Sequence, residues 1–328
     1  MHDININTEV VFKIQDAAEF EKICMSIFNF QIKNNPIYCK YATTILKGKE
    51  PKNITEIPFL PIELFKTKKI ICNGKTKEKI FLSSGTTGKK SQHLVSNSNI
   101  YIQSITKCFE KFYGSITDYC FLALLPSYNE QESSSLIYMA DMLIKKSNHP
   151  QSNYYINNYK ELSTIIKELE QAKQPTILLG VTYALLDFAK KYPQQLDNTI
   201  IIETGGMKGK RKELIKEEIH DILKKSFNIK TIHSEYGMTE LLSQSYSKGN
   251  NIFKSPSWMK ILILDINDPL SIIGHNQTGG INIIDLANIY SCPFIATQDI
   301  GKTFDNNTFS VLGRFSYADI RGCNLLVE

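Results

Sequence analysis

The chain carries short stretches in which hydroxyls, glycines and charges fall close enough together to handle phosphate and carboxylate groups. The first is Ser83-Ser84-Gly85-Thr86-Thr87-Gly88-Lys89-Lys90-Ser91. Its glycines let the backbone approach a polyphosphate closely, its hydroxyls and amides can donate to phosphate oxygens, and Lys89 and Lys90 add positive charge. A Ser/Thr/Gly cluster is also the composition of a plain surface loop, so both readings stand at this point. A Walker A loop is excluded by spacing. With Gly88-Lys89 as its GK pair, that pattern needs glycine where Ser83 stands and Ser or Thr where Lys90 stands.

The second stretch, Ser234-Glu235-Tyr236-Gly237-Met238-Thr239-Glu240, sets an aromatic ring, a glycine, a hydroxyl and a carboxylate within a few residues. Such a set can stack a base, contact a phosphate and hold Mg²⁺. It is equally the composition of a turn beside a helix. The cysteines are seven, an odd number, and none has CxxC spacing, which argues against a disulfide framework or zinc knuckle and for reduced thiols in the cytoplasm. No His/Cys/Asp cluster has metal-ligand spacing. His93 and His275 have no evident partner, His233 reads as a strand-end histidine or a substrate contact, and Trp258 reads as a packing residue.

These residues need elements to hold them. Residues 14–50 have apolar positions at helical spacing, among them Phe20, Ile23, Cys24, Ile27 and Phe28. A proline-punctuated stretch at 57–62 is extended or turning. The middle of the chain then repeats a unit of short apolar run, glycine and helical pattern. The run 176–179 precedes Gly180 and a helix near 182–190. The run 199–202 precedes Gly205-Gly206 and an amphipathic helix near 210–227, with Leu214, Ile215, Ile219, Ile222, Leu223 and Phe227 on its apolar side. Glutamates early and lysines late in that helix suit its macrodipole. Phe81-Leu82 reads as the end of a strand before the first stretch, and Ile229 to Ile232 as a strand before the second. From Met259 onward, 261–264, 281–286, 294–297 and 309–312 read as strands. The expected fold is therefore α/β, with crossover helices on mixed parallel sheets and a β-rich C-terminal part; ligands in such sheets sit beyond the carboxyl ends of the strands. The expected organisation is one continuous domain: a helical segment over 1–75, an α/β core over 76–258 and a β-rich part over 259–328.

Composition sets bounds. At 328 residues with 42% hydrophobic and 22% charged side chains, the sequence is that of a globular protein with a sizeable core. A net charge of +5, with lysines scattered among acids, gives no nucleic-acid stripe, though it tolerates an anionic small substrate. The N-terminal stretch has no signal-peptide pattern, and no run approaches a membrane span.

Taken together, the two stretches resemble the acyl-adenylate superfamily of acyl-CoA synthetases, peptide-synthetase adenylation domains and luciferases. There a Ser/Thr/Gly phosphate loop is followed by a Tyr-Gly-x-Thr-Glu motif. Thr297-Gln298-Asp299 stands where that superfamily has Thr-Gly-Asp, Gly313-Arg314 matches its Gly-Arg, and Asp319-Ile320-Arg321 is similar to its Asp-x-Ile-Lys. Within it, the chain most resembles the acyl-protein synthetases (LuxE-like), the fatty-acid-activating component of the bacterial bioluminescence reductase, related to phenylacetate–CoA ligases. The stretches Ile57-Pro58-Phe59-Leu60-Pro61 with Phe65-Lys66, Thr204-Gly205-Gly206-Met207-Lys208-Gly209 and Arg321-Gly322-Cys323 carry this likeness over nearly the whole chain.

The resemblance implies the adenylate-forming core fold and an enzyme, an AMP-forming acid–thiol ligase that uses ATP and Mg²⁺ on a carboxylic acid, by expectation a fatty acid. It implies that Ser83, Ser84, Gly85, Thr86, Thr87, Gly88 and Lys89 hold the β- and γ-phosphates. Thr239 would contact the α-phosphate, Glu240 would ligate Mg²⁺, and Tyr236, with Gly237, would lie near adenine. Gly205 and Gly206 are further nucleotide contacts, Asp299 would bind the ribose hydroxyls, and Arg314 would lie near the ribose and α-phosphate. Cys323 would accept the acyl group as a thioester and pass it to a reductase; an acyl carrier or CoA is the other acceptor. Two departures qualify the likeness. Lys90 and Ser91 replace the usual Pro-Lys, and the residues after Gly313-Arg314 leave no room for the mobile C-terminal domain with its lysine. Lys89, Lys90 or Lys208 is the expected substitute. The alternatives are a phenylacetate-type ligase using free CoA and a non-catalytic acyl- or nucleotide-binding homologue.

Overall fold

The structure is a computed structural model that describes residues 8–84, 88–205, 214–268 and 270–315. Gly85, Thr86, Thr87, Gly206, Lys208, Arg321 and Cys323 lie outside the described residues. The chain forms two compact units, one made of residues 1–104, 238–243 and 254–328, the other of residues 105–237 and 244–253.

The first unit is built on an antiparallel meander. Strand Met259–Leu264 pairs with Gly279–Asp285, which pairs with Phe294–Thr303, which pairs with Thr308–Arg314. The short strand Leu60–Pro61 joins Phe294–Thr303 in parallel, so the Pro58–Pro61 region is extended as its prolines require. The helical pattern expected over 14–50 is interrupted. Helix Ala17–Asn34, capped by Asp16, gives way to helix Pro36–Leu46. Pro36 lacks an N–H and fits only the first turn of a helix, and Asn35 serves as its cap by accepting from Tyr38 N. The same junction is fastened to the sheet. Asn35 Nδ2 donates to Ser291 O at 2.7 Å and Gln31 Nε2 donates to Ile289 O at 2.6 Å. Phe28, Tyr38, Phe59 and Phe294 form an aromatic core beneath it, with Tyr38 and Phe294 centroids 5.6 Å apart.

The second unit is the α/β part. Strands Asn153–Tyr154, Cys120–Leu124, Thr176–Gly180, Thr199–Glu203 and His233–Tyr236 lie side by side in parallel, and Ser245–Ser247 adds an antiparallel strand. Helices Tyr159–Gln171, Thr182–Lys191 and Lys216–Phe227 make the crossovers, and their apolar faces close on the strands through Leu162, Ile166, Leu185, Phe188, Leu223 and Phe227. The strand–glycine–helix repeat read from the sequence is therefore present. Gly180 shows why a glycine ends its strand: a Cβ there would meet Leu185 Cγ at 2.9 Å and Leu124 Cβ at 3.0 Å.

Two expectations are corrected. The strand sits at His233–Tyr236, not at Ile229 to Ile232; Ile232 is buried in the core, but the ladder begins after it. The amphipathic helix begins at Lys216, and Ile215 and Ile222, placed on its apolar side, are 62% and 41% exposed. Strand Lys79–Leu82 ends with Phe81-Leu82 as expected and pairs antiparallel with Gln92–Val95 in a hairpin, so the phosphate-loop candidate joins two strands. None of the described helices is long and apolar enough to cross a membrane.

Candidate functional site

In the first unit the two chemistry-bearing stretches meet. The ladder of the hairpin continues past its last strand pair: Ser83 N donates to Ser91 O at 3.1 Å, and Ser91 N donates to Ser83 Oγ at 3.0 Å. The loop between these residues is thus closed at its base. Gly88 has φ +86°, which a side chain adopts only with strain, and Ser84, Lys89 and Lys90 are exposed. Ser91, buried at the loop base, lowers the pKa of the Glu240 carboxylate. Ser91 stands where the resembled superfamily has lysine, and, two residues on, His93 Nδ1 lies 2.8 Å from Thr239 O in the second motif. Glu240 is 5% exposed. Burial raises its pKa, with Ser91 and the charges of Arg314 and Lys66 opposing that rise.

The turn that carries Thr239 and Glu240 is held from beneath by a buried carboxylate. Asp285 Oδ2 accepts from Leu242 N at 2.8 Å and Ser243 N at 3.0 Å, and its Oδ1 accepts from Ser243 Oγ at 2.6 Å. Trp258 Nε1 donates to the same Ser243 hydroxyl at 2.8 Å, so this tryptophan is a packing residue with its one polar atom satisfied. Burial pushes the Asp285 carboxyl up, and these donors pull it back. Asp299 and Arg314 are direct cross-strand partners, and Arg314 Nε donates to Asp299 Oδ1 at 2.6 Å. Asp299 is buried while Arg314 is half exposed.

In the second unit, the strand ends carry acids that sequence reasoning missed. Glu203 closes strand Thr199–Glu203 and is 4% exposed. It accepts from Gly205 N at 2.7 Å, Thr182 Oγ1 at 2.9 Å and Ser234 Oγ at 3.2 Å. Lys216 Nζ and His220 Nε2 each lie 3.6 Å from its Oε2. Burial works against its charge, but His220, Lys216 and Thr182 more than offset it and hold the carboxyl at about 2. Glu235 has the opposite fate. Burial first, and the Glu203 charge second, push it up to about 8, against the pull of Lys216. The Glu235 carboxylate lies against Gly237, where a Cβ would collide with its Oε1, and this gives a packing reason for the glycine of the motif. Gly205 has φ +75° and turns the chain after Glu203. The Tyr236 ring packs on Phe253 at 5.8 Å. His233 stacks on Tyr113 and shares a 3.2 Å hydrogen bond with its hydroxyl, and burial lowers its pKa to about 4, helped by Lys248.

The structure therefore brings together Ser83, Ser91, Thr239 and Glu240 in the first unit and pairs Asp299 with Arg314 there. It gathers Gly205 with Glu203 in the second unit, where Tyr236 and Gly237 close the neighbouring strand. Among the described residues no three or more His, Cys, Asp or Glu side chains form a metal-binding group.

The family model described as "Acyl-protein synthetase, LuxE" matches residues 13–328. The long-chain-fatty-acid–luciferin-component ligase of Vibrio harveyi is 21% identical over 347 residues, covering 98% of this chain and 91% of that protein. An open conformation of 2-hydroxyisobutyryl-CoA ligase in complex with 2-HIB-AMP and CoA has a TM-score of 0.64 at 12% identity, covering 94% of this chain and 73% of that one. ATP-bound MatB from Rhodopseudomonas palustris has a TM-score of 0.55 at 14% identity, over 72% of this chain and 47% of that one. The chain thus spans about half the length of MatB, and what it shares with these structures is the α/β fold of adenylate-forming ligases.

Proposed function

The chain belongs to the LuxE family of acyl-protein synthetases, and from that premise we propose that it activates a fatty acid with ATP to an acyl-AMP and then transfers the acyl group to a thiol. The observation that supports this reading is that the strand leaving the Ser/Thr/Gly loop reaches the Tyr-Gly-x-Thr-Glu motif: His93 is 2.8 Å from Thr239 O, and Ser91 at the loop base lowers the pKa of the Glu240 carboxylate.

In the first step the substrate carboxylate attacks the α-phosphorus, the P–O bond to the β-phosphate breaks, and pyrophosphate leaves. No proton need move, so the protein's part is to position the reactants and stabilise charge. Ser84, Thr86, Thr87 and Lys89 hold the β- and γ-phosphates, and Thr239 contacts the α-phosphate. Asp299, held by Arg314, accepts from the ribose hydroxyls. Glu240 suits Mg²⁺: it is a hard oxygen donor, and burial that drives it toward the neutral form would be relieved by a divalent cation. When bound, Mg²⁺ supplies neutralising charge to the phosphates.

In the second step the Cys323 thiolate attacks the acyl carbonyl carbon and AMP leaves, giving a thioester. A reductase then receives the acyl group. The V. harveyi relative, by name a long-chain-fatty-acid ligase, supports a fatty acid as substrate. The test is to supply radiolabelled fatty acid and ATP to the wild-type protein and to Cys323→Ser. Loss of covalent label with pyrophosphate exchange intact supports the thioester. Label that survives unchanged overturns it.

A further inference from the structure

The turn at 238–243 belongs to neither a strand nor a helix, yet its main chain is tightly held. Asp285 holds the N–H groups of Leu242 and Ser243. Asn288 holds the Glu240 carbonyl, and the group that holds the Thr239 carbonyl is His93. It lies on the strand Gln92–Val95 that leaves the Ser/Thr/Gly loop, paired with Phe81, and is fully buried. His93 Nδ1 is 2.8 Å from Thr239 O. A carbonyl only accepts, so a hydrogen bond here is donated by a proton on Nδ1. His93 Nε2 is 2.9 Å from Asn288 Oδ1, and Asn288 Nδ2 donates to Glu240 O at 2.8 Å and to Cys292 O at 2.9 Å. Phe65 closes the ring in edge-on at 6.0 Å. Asn288 Oδ1 also only accepts, and burial lowers the His93 pKa to about 4, so the neutral ring has one proton to give to these two oxygens.

We propose that His93 is a positioning residue for adenylation: donating from Nδ1, it fixes the Thr239 carbonyl beside the loop base, next to Glu240. The inference rests on the adenylation reading above. It goes further by assigning work to a residue with no part in either motif. The physical argument is rigidity. A turn whose carbonyls bonded only to water would sample several arrangements, and small displacements of groups that touch the reacting phosphate cost large factors in rate. His93 lies on the strand that leaves the loop base and reaches the main chain of Thr239, next to Glu240.

A histidine that merely fills the core would affect stability and nothing else, so the test separates donors by position. Carboxylate-dependent ATP–pyrophosphate exchange is measured for wild type, His93→Ala, His93→Asn and His93→Gln, with unfolding midpoints taken in parallel. The asparagine amide falls near the place of Nδ1 and can still donate to Thr239, while glutamine reaches toward Asn288 instead. The expected result is that His93→Ala lowers kcat by about tenfold or more with KM for the acid unchanged. His93→Asn should recover most of that loss and His93→Gln less. If His93→Ala does not fold, the Asn–Gln difference decides alone. Equal kcat in the Asn and Gln variants, or a wild-type kcat in His93→Ala, overturns the positioning role. A wild-type protein that exchanges no pyrophosphate with any acid overturns the adenylation reading and this inference with it.

Discussion

Replacing Glu235 with Gln should remove a pH-dependent loss of stability that the wild-type fold carries in its second unit. Glu203 keeps its charge because Thr182, Gly205 and Ser234 donate to it and Lys216 and His220 stand beside it. Glu235 meets burial and that retained charge, and its carboxyl rises from 4.5 to about 8. Between those values the native state keeps a proton that the unfolded chain gives up, so stability falls as pH rises through this window. At about 1.4 kcal/mol per pH unit, the loss is at most roughly 3 kcal/mol by pH 7 and roughly 5 kcal/mol by pH 9. Glu203 acts with the opposite sign. Its stabilisation is present above 4.5 and is lost as pH falls toward 2. Urea unfolding of wild type and Glu235→Gln at intervals from pH 5 to pH 9 isolates the Glu235 contribution, because other titrating groups cancel in the difference. The variant should gain on wild type steadily as pH rises. Parallel stability curves across the range would refute the reasoning, since they would mean that Glu235 ionises in the fold as it does in the unfolded chain.

Other consequences follow from the packing and from the motifs. Asp285→Asn replaces a buried acceptor of several donors with an amide that cannot serve them all, and should cost about 2–4 kcal/mol in chemical denaturation while lowering pyrophosphate exchange through the turn it holds. Gly279→Ala places a methyl group against Leu264 O and within 2.8 Å of Ile263 Cγ2, and should destabilise the first unit by at least about 1–3 kcal/mol, read as a lowered melting temperature. Glu240→Gln removes the charge proposed to face the cation, and should raise the Mg²⁺ concentration needed for half-maximal exchange while leaving the melting temperature near that of wild type.

Much of the second unit was legible because its elements are local. The runs ending at Gly180 and Glu203 are apolar and β-branched, and each is followed by a glycine and a helix. The strand His233–Tyr236 was misplaced because its own residues are polar; Ser234 and Glu235 take their place in the sheet from neighbours, not from propensity. The buried acids were hidden for a related reason. Glu203 and Ser234 become partners only once the register of two strands is known. His93 had no evident partner because its hydrogen bonds reach Thr239 and Asn288, far along the chain. Ile215 and Ile222 fitted a helical stripe by spacing but face solvent, since the helix starts at Lys216 and its apolar face is completed by Ile219, Leu223 and Phe227. The motifs themselves were readable because they are contiguous. That the strand leaving the first reaches the second through His93 was not, since a lone histidine gives no signal without the fold.

Carboxylate-dependent ATP–pyrophosphate exchange across a panel of fatty and aryl acids tests the central claim most directly, because it reports acyl-AMP formation without requiring any particular acyl acceptor. Exchange should need Mg²⁺ and an added acid and be strongest with fatty acids. Absence of acid-dependent exchange across the whole panel would contradict the claim.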